Sequence, residues 1–388
     1  MKRTVLFAWE LGSGGGHVGN LVPVARELAT CGYQPVFAVR DVTGYYPSLE
    51  STGFPVLQAP QWPFRAPPMW RASCYADILA VHGYRDAEGL SRLIRAWEAL
   101  FQLIRPALIV ADHSPTVCLA AAGSIPLVLL GNGFTLPPVH LPVFPRLRPR
   151  VRETLSQEHI LKVIRKAQAI RHRASPETLP ALFEPAKRFV LSLPELDPYR
   201  AFRREPVLFP FDAATAPQPL PAFPSLYAYC SDEHPELAAI AHALAGLDAR
   251  VSVHFRERRK VFGRFLAGLG VNVYWDPPPY GEVLSSARIV LSQAGQATAH
   301  AALITGRPQA LSPIHLEAEL TTQALVSLGV GIRLPKPIRV RRLRKTLQRA
   351  MKDEGMEERA VALAGAIAAR PRTDTLSGVV SLCGELAV

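Results

Sequence analysis

Cysteine is scarce in this chain, with five residues, Cys31, Cys74, Cys118, Cys230 and Cys383, among 388. None stands in a C-x-x-C pair or in a His/Cys cluster at zinc spacing, which argues against a disulfide framework and against a structural metal. Long apolar runs are missing as well. No stretch reaches the ~18 uninterrupted apolar residues that a membrane span needs. The segment MKRTVLFAWELG has basic residues and an apolar run, but Glu10 and a glycine loop interrupt it before a secretory h-region forms. A cytoplasmic, soluble protein is the expectation. Apolar residues make up 48% of the chain and charged residues 20%, a globular composition, and the length suffices for two domains that each bury a core.

Acidic residues are missing from one whole segment. Residues 333–349 hold eight Lys/Arg and no Asp or Glu, and residues 146–173 hold nine against two, so the formal charge of +12 resides in two patches. Such patches attract nucleic acid, an anionic membrane surface or an anionic ligand, and they also occur as plain solvated helix faces. Neither carries the interleaved aromatics of a single-strand binder, so no nucleic-acid partner is expected. LSQEHILKVIRKAQAI (155–170) is amphipathic with a basic face, open to peripheral membrane contact or to simple solvation.

Apolar runs of strand length and segments of helical period then alternate. TVLFAW (4–9) reads as a buried strand, the segment from Leu21 to Gly32 as a helix, and QPVFAVRD (34–41) as a second strand. ALIVAD (107–112), a short apolar helix (116–124) and IPLVLLGNG (125–133) continue the pattern. Strands that are apolar throughout imply a parallel sheet covered on both faces. QWPFRAPPMW (61–70), mixing prolines with aromatics, reads as a loop whose flat side chains serve either a ligand or the neighbouring helices.

Proline density peaks from Pro206 to Pro224, after which the pattern restarts. Strands are expected at 225–230, 250–255, 271–275 and 287–292, helices at 235–247 and 298–306, and a short strand and turn in RPQALSP. The division is therefore 1–205 as a first Rossmann-like domain, 206–224 as a linker, 225–370 as a second such domain, and 371–388 as a tail that packs back on the first. The fold class is α/β, with two doubly wound domains and a cleft between them, ligands binding at the carboxyl ends of the strands.

Two loops invite chemistry. Gly14-Gly15-Gly16-His17-Val18-Gly19 satisfies G-x-G-x-x-G, with Asp41 as a formal ribose ligand for a dinucleotide, yet it contains an ionisable His17. At a helix amino terminus the dipole disfavours imidazolium, so a neutral His17 is a candidate general base. Asp112, at the end of another strand of the same half, is the group to orient it. The plainer roles are a solvent-facing or capping His17 and an Asp112 that caps the next helix. SQAGQAT (292–298) also follows a strand and opens a helix, so its backbone N–H groups suit a phosphate or diphosphate, and Thr298 adds a hydroxyl or a cap.

Taken together, WELGSGGGHVGNLVPVARELATCGYQPVFAVRD, LIVADHSPTVCLAAAGSIPLVLLGNGF and LSQAGQATAHAALITGRPQALSPIHLEAELTTQALVSLGVGIRL, in that order, resemble the signatures of GT-B glycosyltransferases, specifically the family 1 group of natural-product enzymes. The resemblance covers nearly the whole chain. It implies a metal-independent, cofactor-free inverting transferase that takes a nucleotide-diphosphate sugar and a small hydrophobic acceptor. His17 falls on the family's catalytic base and Asp112 on its activating acid, with Gly14, Gly15 and Gly16 in the adjoining loop. Donor contacts fall on Ser231, Gln293, Gly295, Gln296, Ala297, Thr298 and Glu317.

Departures cluster in the donor half. Gln293 replaces the family's histidine, Ala294 and Ala297 its glycines, Ala301 its ribose-binding glutamate and Ala318 its glutamine; the base-stacking Trp element is blurred into WDPPPY around Trp275. A lost carboxylate contact costs ~1–3 kcal/mol of binding. His300 and His315 are the local candidates to replace it. These departures keep a second class open: a nucleotide-sugar or small-molecule binding protein that has lost transfer.

Overall fold

In a computed structural model, the structure describes residues 3–63, 70–211, 216–257 and 259–387. The chain forms two compact units, one of residues 1–211 with 373–388 and one of residues 212–372.

The first unit is built on seven strands: β1 (Thr4–Trp9), β2 (Gln34–Val39), β3 (Val56–Gln58), β4 (Leu108–Asp112), β5 (Leu127–Gly131), β6 (Lys187–Leu191) and β7 (Val207–Leu208). Their order is β3-β2-β1-β4-β5-β6-β7, and every pairing is parallel. Val5 to Trp9 and Leu108 to Asp112 are buried without alternation, the mark of a sheet covered on both faces. The helix Gly16–Thr30 packs Val18, Leu21, Val24, Ala25 and Leu28 against that sheet. It ends where Gly32 adopts φ +90° and Tyr33 N–H donates to Leu28 O at 3.0 Å.

Residues 206–211, read above as the start of the linker, belong to this unit, because β7 adds a parallel edge to β6. The prolines around it mark that edge, where a missing N–H does no harm. The carboxyl-terminal helix Thr375–Leu386 also joins the first unit. Val379, Cys383 and Ala387 enter its core, and Arg3 Nη1 donates to Ala387 O at 2.9 Å.

The second unit carries six strands: β8 (Ser225–Ser231), β9 (Arg250–Arg256), β10 (Asn272–Val273), β11 (Ile289–Ser292), β12 (Gln309–Leu311) and β13 (Gly331–Arg333). The order β10-β9-β8-β11-β12-β13, again all parallel, repeats the doubly wound arrangement of the first unit. The strand expected at 271–275 shrinks to two residues, since it sits at the sheet edge and runs into Asp276 and three prolines. The helix Val340–Ala350 buries Leu343 and Leu347 in the unit's core, each contributing roughly 1.5–3 kcal/mol, and exposes Arg341, Arg342, Lys345 and Arg349 on its other face.

None of the described helices is long and apolar enough to cross a membrane. All five cysteines are unpaired.

The helix Gln296–Thr305 ends on Gly306 at φ +76°, where an added Cβ would meet Val361 Cα at 3.3 Å. Both the left-handed backbone and the contact require glycine there. Gly306→Ala is therefore expected to destabilise the protein by about 1–2 kcal/mol, read as a lower urea midpoint at unchanged slope.

Candidate active site

In each sheet the chain reverses winding direction beside its first strand, and there the strand ends leave an open crevice. In the first unit that point lies between β1 and β4. Their register sets Trp9 opposite Asp112, so the loop after β1 and the end of β4 emerge side by side. The glycine loop turns immediately into the helix Gly16–Thr30, which places His17 in its first turn.

There His17 and Asp112 meet. His17 Nδ1 lies 3.0 Å from Asp112 Oδ1, and Asn20, one turn further along the helix, donates from Nδ2 to Oδ2 at 2.8 Å. A carboxylate can only accept, so this pairing puts the proton on Nδ1 and leaves Nε2 as the basic nitrogen. Both partners are buried, which strengthens the hydrogen bond and fixes the ring. Neither plain capping role applies, since the helix Gly16–Thr30 and the helix after Asp112, Pro115–Ala121, both start without a side-chain cap: Asp112 is engaged by His17 and Asn20, and His17 by Asp112.

Gly14, Gly15 and Gly16 stand clear of side chains, with open space where a Cβ would be. Gly12, by contrast, is indispensable. It has φ +89°, and a methyl group there would lie 2.4 Å from His17 Nε2. Nothing in the sequence pattern distinguishes Gly12 from its neighbours, and Asn20 carries no local signal because its role depends on which helix face meets β4. Asp41, the formal ribose ligand of the dinucleotide reading, instead accepts from Thr43 N at 2.9 Å and Thr43 Oγ1 at 2.6 Å in a local turn.

The 61–70 loop is settled in part. Trp62 packs so closely on the helix side that a Cβ at Gly89 would fall 2.6 Å from its ring, and Trp70 Nε1 donates to Thr154 Oγ1 at 3.0 Å. These two aromatics serve the protein's own packing; residues 64–69 lie outside the described residues.

In the second unit the corresponding point lies between β8 and β11. Gln293 Oε1 accepts from Ser231 N (3.3 Å) and Ser231 Oγ (3.2 Å), tying the two strand ends together and turning the amide nitrogen the other way. Ala294 follows at φ +62°, a left-handed conformation natural to glycine and strained for alanine. Alanine thus occupies a backbone shape that favours glycine. Gly295 starts the helix Gln296–Thr305 with no side-chain cap, so the first-turn N–H groups of Gln296, Ala297 and Thr298 are arranged to receive an anion.

Other predicted donor residues have work inside the unit. Thr298 is buried with Oγ1 2.9 Å from Tyr280 OH, so its hydroxyl caps no helix. Gln296 Nε2 donates to Thr321 Oγ1 at 3.0 Å, which links this helix to Leu316–Ser327. Glu317 stands half-buried in the first turn of that second helix. His315 is its amino-terminal cap, Nδ1 accepting from Ala318 N at 3.3 Å, while His300 is buried within Gln296–Thr305. Ala301 and Ala318 are both fully buried, and Trp275 is exposed with Lys260 Nζ 5.5 Å from its ring centroid. Among the described residues no group of three or more His, Cys, Asp or Glu gathers as a metal would require.

The basic segments differ in use. In 146–173, Arg171 pairs with Glu98, Lys162 with Glu158 at 2.7 Å, and Arg146 Nη2 donates to two backbone carbonyls. The stripe on Val340–Ala350 faces outward.

Residues 238–383 match the family described as erythromycin biosynthesis protein CIII-like, C-terminal domain. No curated protein matches the sequence. Among solved structures the chain resembles the spinosyn rhamnosyltransferase SpnG, at 17% identity and a TM-score of 0.63, over 98% of this chain and 99% of that one. It resembles the calicheamicin glycosyltransferase CalG4 at 19% identity and a TM-score of 0.61, over 100% and 98%. SsfS6 of Streptomyces sp. SF2575, a glycosyltransferase solved with thymidine diphosphate, aligns at 19% identity and a TM-score of 0.58, over 99% and 100%. The chain has the GT-B fold of these structures, and residues 238–383 are similar to the C-terminal domain of the erythromycin biosynthesis protein CIII-like family.

Proposed function

We propose that the protein is an inverting glycosyltransferase, moving a sugar from a nucleotide-diphosphate donor to a hydroxyl of a small hydrophobic acceptor. His17 Nε2 takes the acceptor proton while Asp112 holds the tautomer and offsets the charge that forms on the ring. The oxygen so freed attacks the anomeric carbon in one displacement, and the diphosphate leaves. In the second unit, the uncapped N–H groups of Gln296, Ala297 and Thr298, with the Gln293 amide, meet the departing charge as fixed donors. Glu317 and Ser231 complete the donor set, Glu317 toward the sugar hydroxyls.

The observation that carries the reading is the 3.0 Å pairing of His17 Nδ1 with Asp112 Oδ1, backed by Asn20. A pure binding module has no use for a base held in one tautomer. SsfS6 was solved with thymidine diphosphate and SpnG with spinosyn aglycone, which makes thymidine and uridine diphosphate sugars the donors to test and a flat apolar alcohol the acceptor class. The buried alanines at 301 and 318 favour the competing reading, a nucleotide-sugar binding protein without transfer. We place the protein in the cytoplasm, where five free thiols stay reduced.

A thermal-shift panel of nucleoside diphosphates and their sugars decides first. A ligand at a hundredfold excess over Kd stabilises by about 2.7 kcal/mol, well above detection. His17→Ala is expected to retain that shift while losing about 100-fold or more in turnover. A mutant with normal turnover removes His17 from the mechanism, and a panel in which only apolar small molecules bind favours the binding protein. Because the donors to diphosphate are N–H groups, transfer is expected to survive overnight dialysis against EDTA; activity that vanishes and returns with a divalent cation refutes metal independence.

We further propose that the outward stripe Arg341, Arg342, Lys345 and Arg349 holds the protein to anionic membrane surfaces, each cation contributing about 1 kcal/mol near the surface. Sedimentation with phosphatidylserine vesicles at low salt, lost on changing Arg341, Arg342 and Lys345 to Gln, is the expected result. Equal sedimentation of the triple variant would dismiss the stripe.

A further inference from the structure

Asp112 grips His17 by one nitrogen, but the ring is also held by its neighbours' faces. Trp9 stacks on it with centroids 5.2 Å apart and planes 27° apart, and His113 lies 5.5 Å away at 36°. His113 packs in turn on Tyr75 at 5.8 Å, so Trp9, His17, His113 and Tyr75 form one run of touching rings.

His113 is an unusual residue to find there. It directly follows Asp112 and adopts φ +47°, a left-handed backbone in which non-glycine residues are uncommon. Its carbonyl accepts from Leu11 N at 3.0 Å, which locks the loop after β1 onto the end of β4. Only 6% of the residue is exposed, and neither ring nitrogen has a hydrogen-bond partner among the described residues. A buried polar ring without partners costs stability that a phenyl group would not, so its presence asks for a use. Geometry supplies one. A methyl group at Gly12 would lie 2.4 Å from His17 Nε2 and 3.1 Å from His113 Nδ1, so the two imidazoles border the same spot.

The charged and titratable groups around the pair are few. Asp112, on β4, pairs with His17 and accepts from Asn20. Arg40, at the end of β2, donates to Gly12 O. His82 is pushed down to about 4 by burial and by Arg40. Glu10 is raised to about 7 by burial and accepts from Thr116 N at 2.9 Å, and burial keeps the Tyr75 phenol protonated. Burial foremost, then His17, holds His113 well below the ordinary histidine range, so it stays uncharged.

We propose that His113 is a positioning residue for the transfer: its neutral ring, packed on His17, excludes water from that imidazole and keeps Nε2 in place beside Gly12. This rests on His17 as the base. Water admitted by loss of the ring would solvate the charged imidazolium and favour protonation.

The test begins without any substrate. The His17 titration midpoint is measured by histidine-selective NMR in the wild type, in His113→Phe, which keeps a ring, and in His113→Asn, which tolerates the left-handed backbone and removes it. The Asn variant is expected to raise the midpoint by about half a pH unit or more, and the Phe variant to change it little. An unchanged midpoint in the Asn variant overturns the proposal. Turnover follows, with the donor identified by the ligand panel: the Asn variant is expected to lose about tenfold in kcat at near-constant KM, and the Phe variant to stay within about threefold. Equal losses in both would transfer the role from the packed ring to its nitrogens and overturn the proposal. If His113→Asn does not fold, His113→Phe decides by the same threefold limit. Normal turnover in His17→Ala would instead sink the base assignment, an outcome the NMR comparison does not share.

Discussion

The register of β1 against β4 is the constraint from which the first unit's chemistry follows. With Trp9 opposite Asp112, the strands end level, and the loop leaving β1 has only a few residues in which to turn into a helix. Glycine at position 12 permits the turn, and the first helical turn then holds His17 within hydrogen-bonding distance of Asp112. A slip of one residue in that pairing would send Asp112 to the other face of the sheet. The core strands are buried on both faces, so such a slip would carry a large penalty in apolar packing, and the core thereby guards the geometry of the pair.

The second unit solves a different problem with the same topology. Pairing of β8 with β11 sets Tyr229 opposite Ser292, and the residues just beyond, Ser231 and Gln293, close on each other. The two switch points thus differ in what they hold, an imidazole paired with a carboxylate in one and a row of uncapped backbone N–H groups in the other. The left-handed bend at Ala294 lies between the contact of Ser231 with Gln293 and the first turn of the helix Gln296–Thr305. An amide at position 293 offers a donor without charge, so the electrostatics of this loop rest on backbone dipoles more than on a side-chain cation.

Much of this was legible in the residues themselves. The strands that carry the sites, β1, β4, β8 and β11, are the continuous apolar runs that sequence reading finds with ease, and the helices after β1 and β11 begin at glycine-bearing loops. What escaped notice shares a physical character. β3, β7 and β13 have only two or three residues each, too few to show a period, and β6 begins with Lys187 and Arg188, whose charges hide a strand. The start of the proline-dense stretch reads as a linker because proline content speaks of local backbone restriction and not of an edge strand such as β7.

Sequence by itself determined the α/β architecture and the repeat of a doubly wound pattern and singled out His17 and Asp112 as candidates at two strand ends, because apolar periodicity and strand-end position are local properties of the chain. Tertiary structure alone decided which neighbours surround that pair. Asn20, Gly12 and His113 acquire their roles only when β4 lies beside β1, and Thr298 loses its expected cap because Tyr280, from a separate segment, reaches its hydroxyl. Contacts between segments far apart in the chain depend on register and on which way each ring turns, and neither is written in a local pattern.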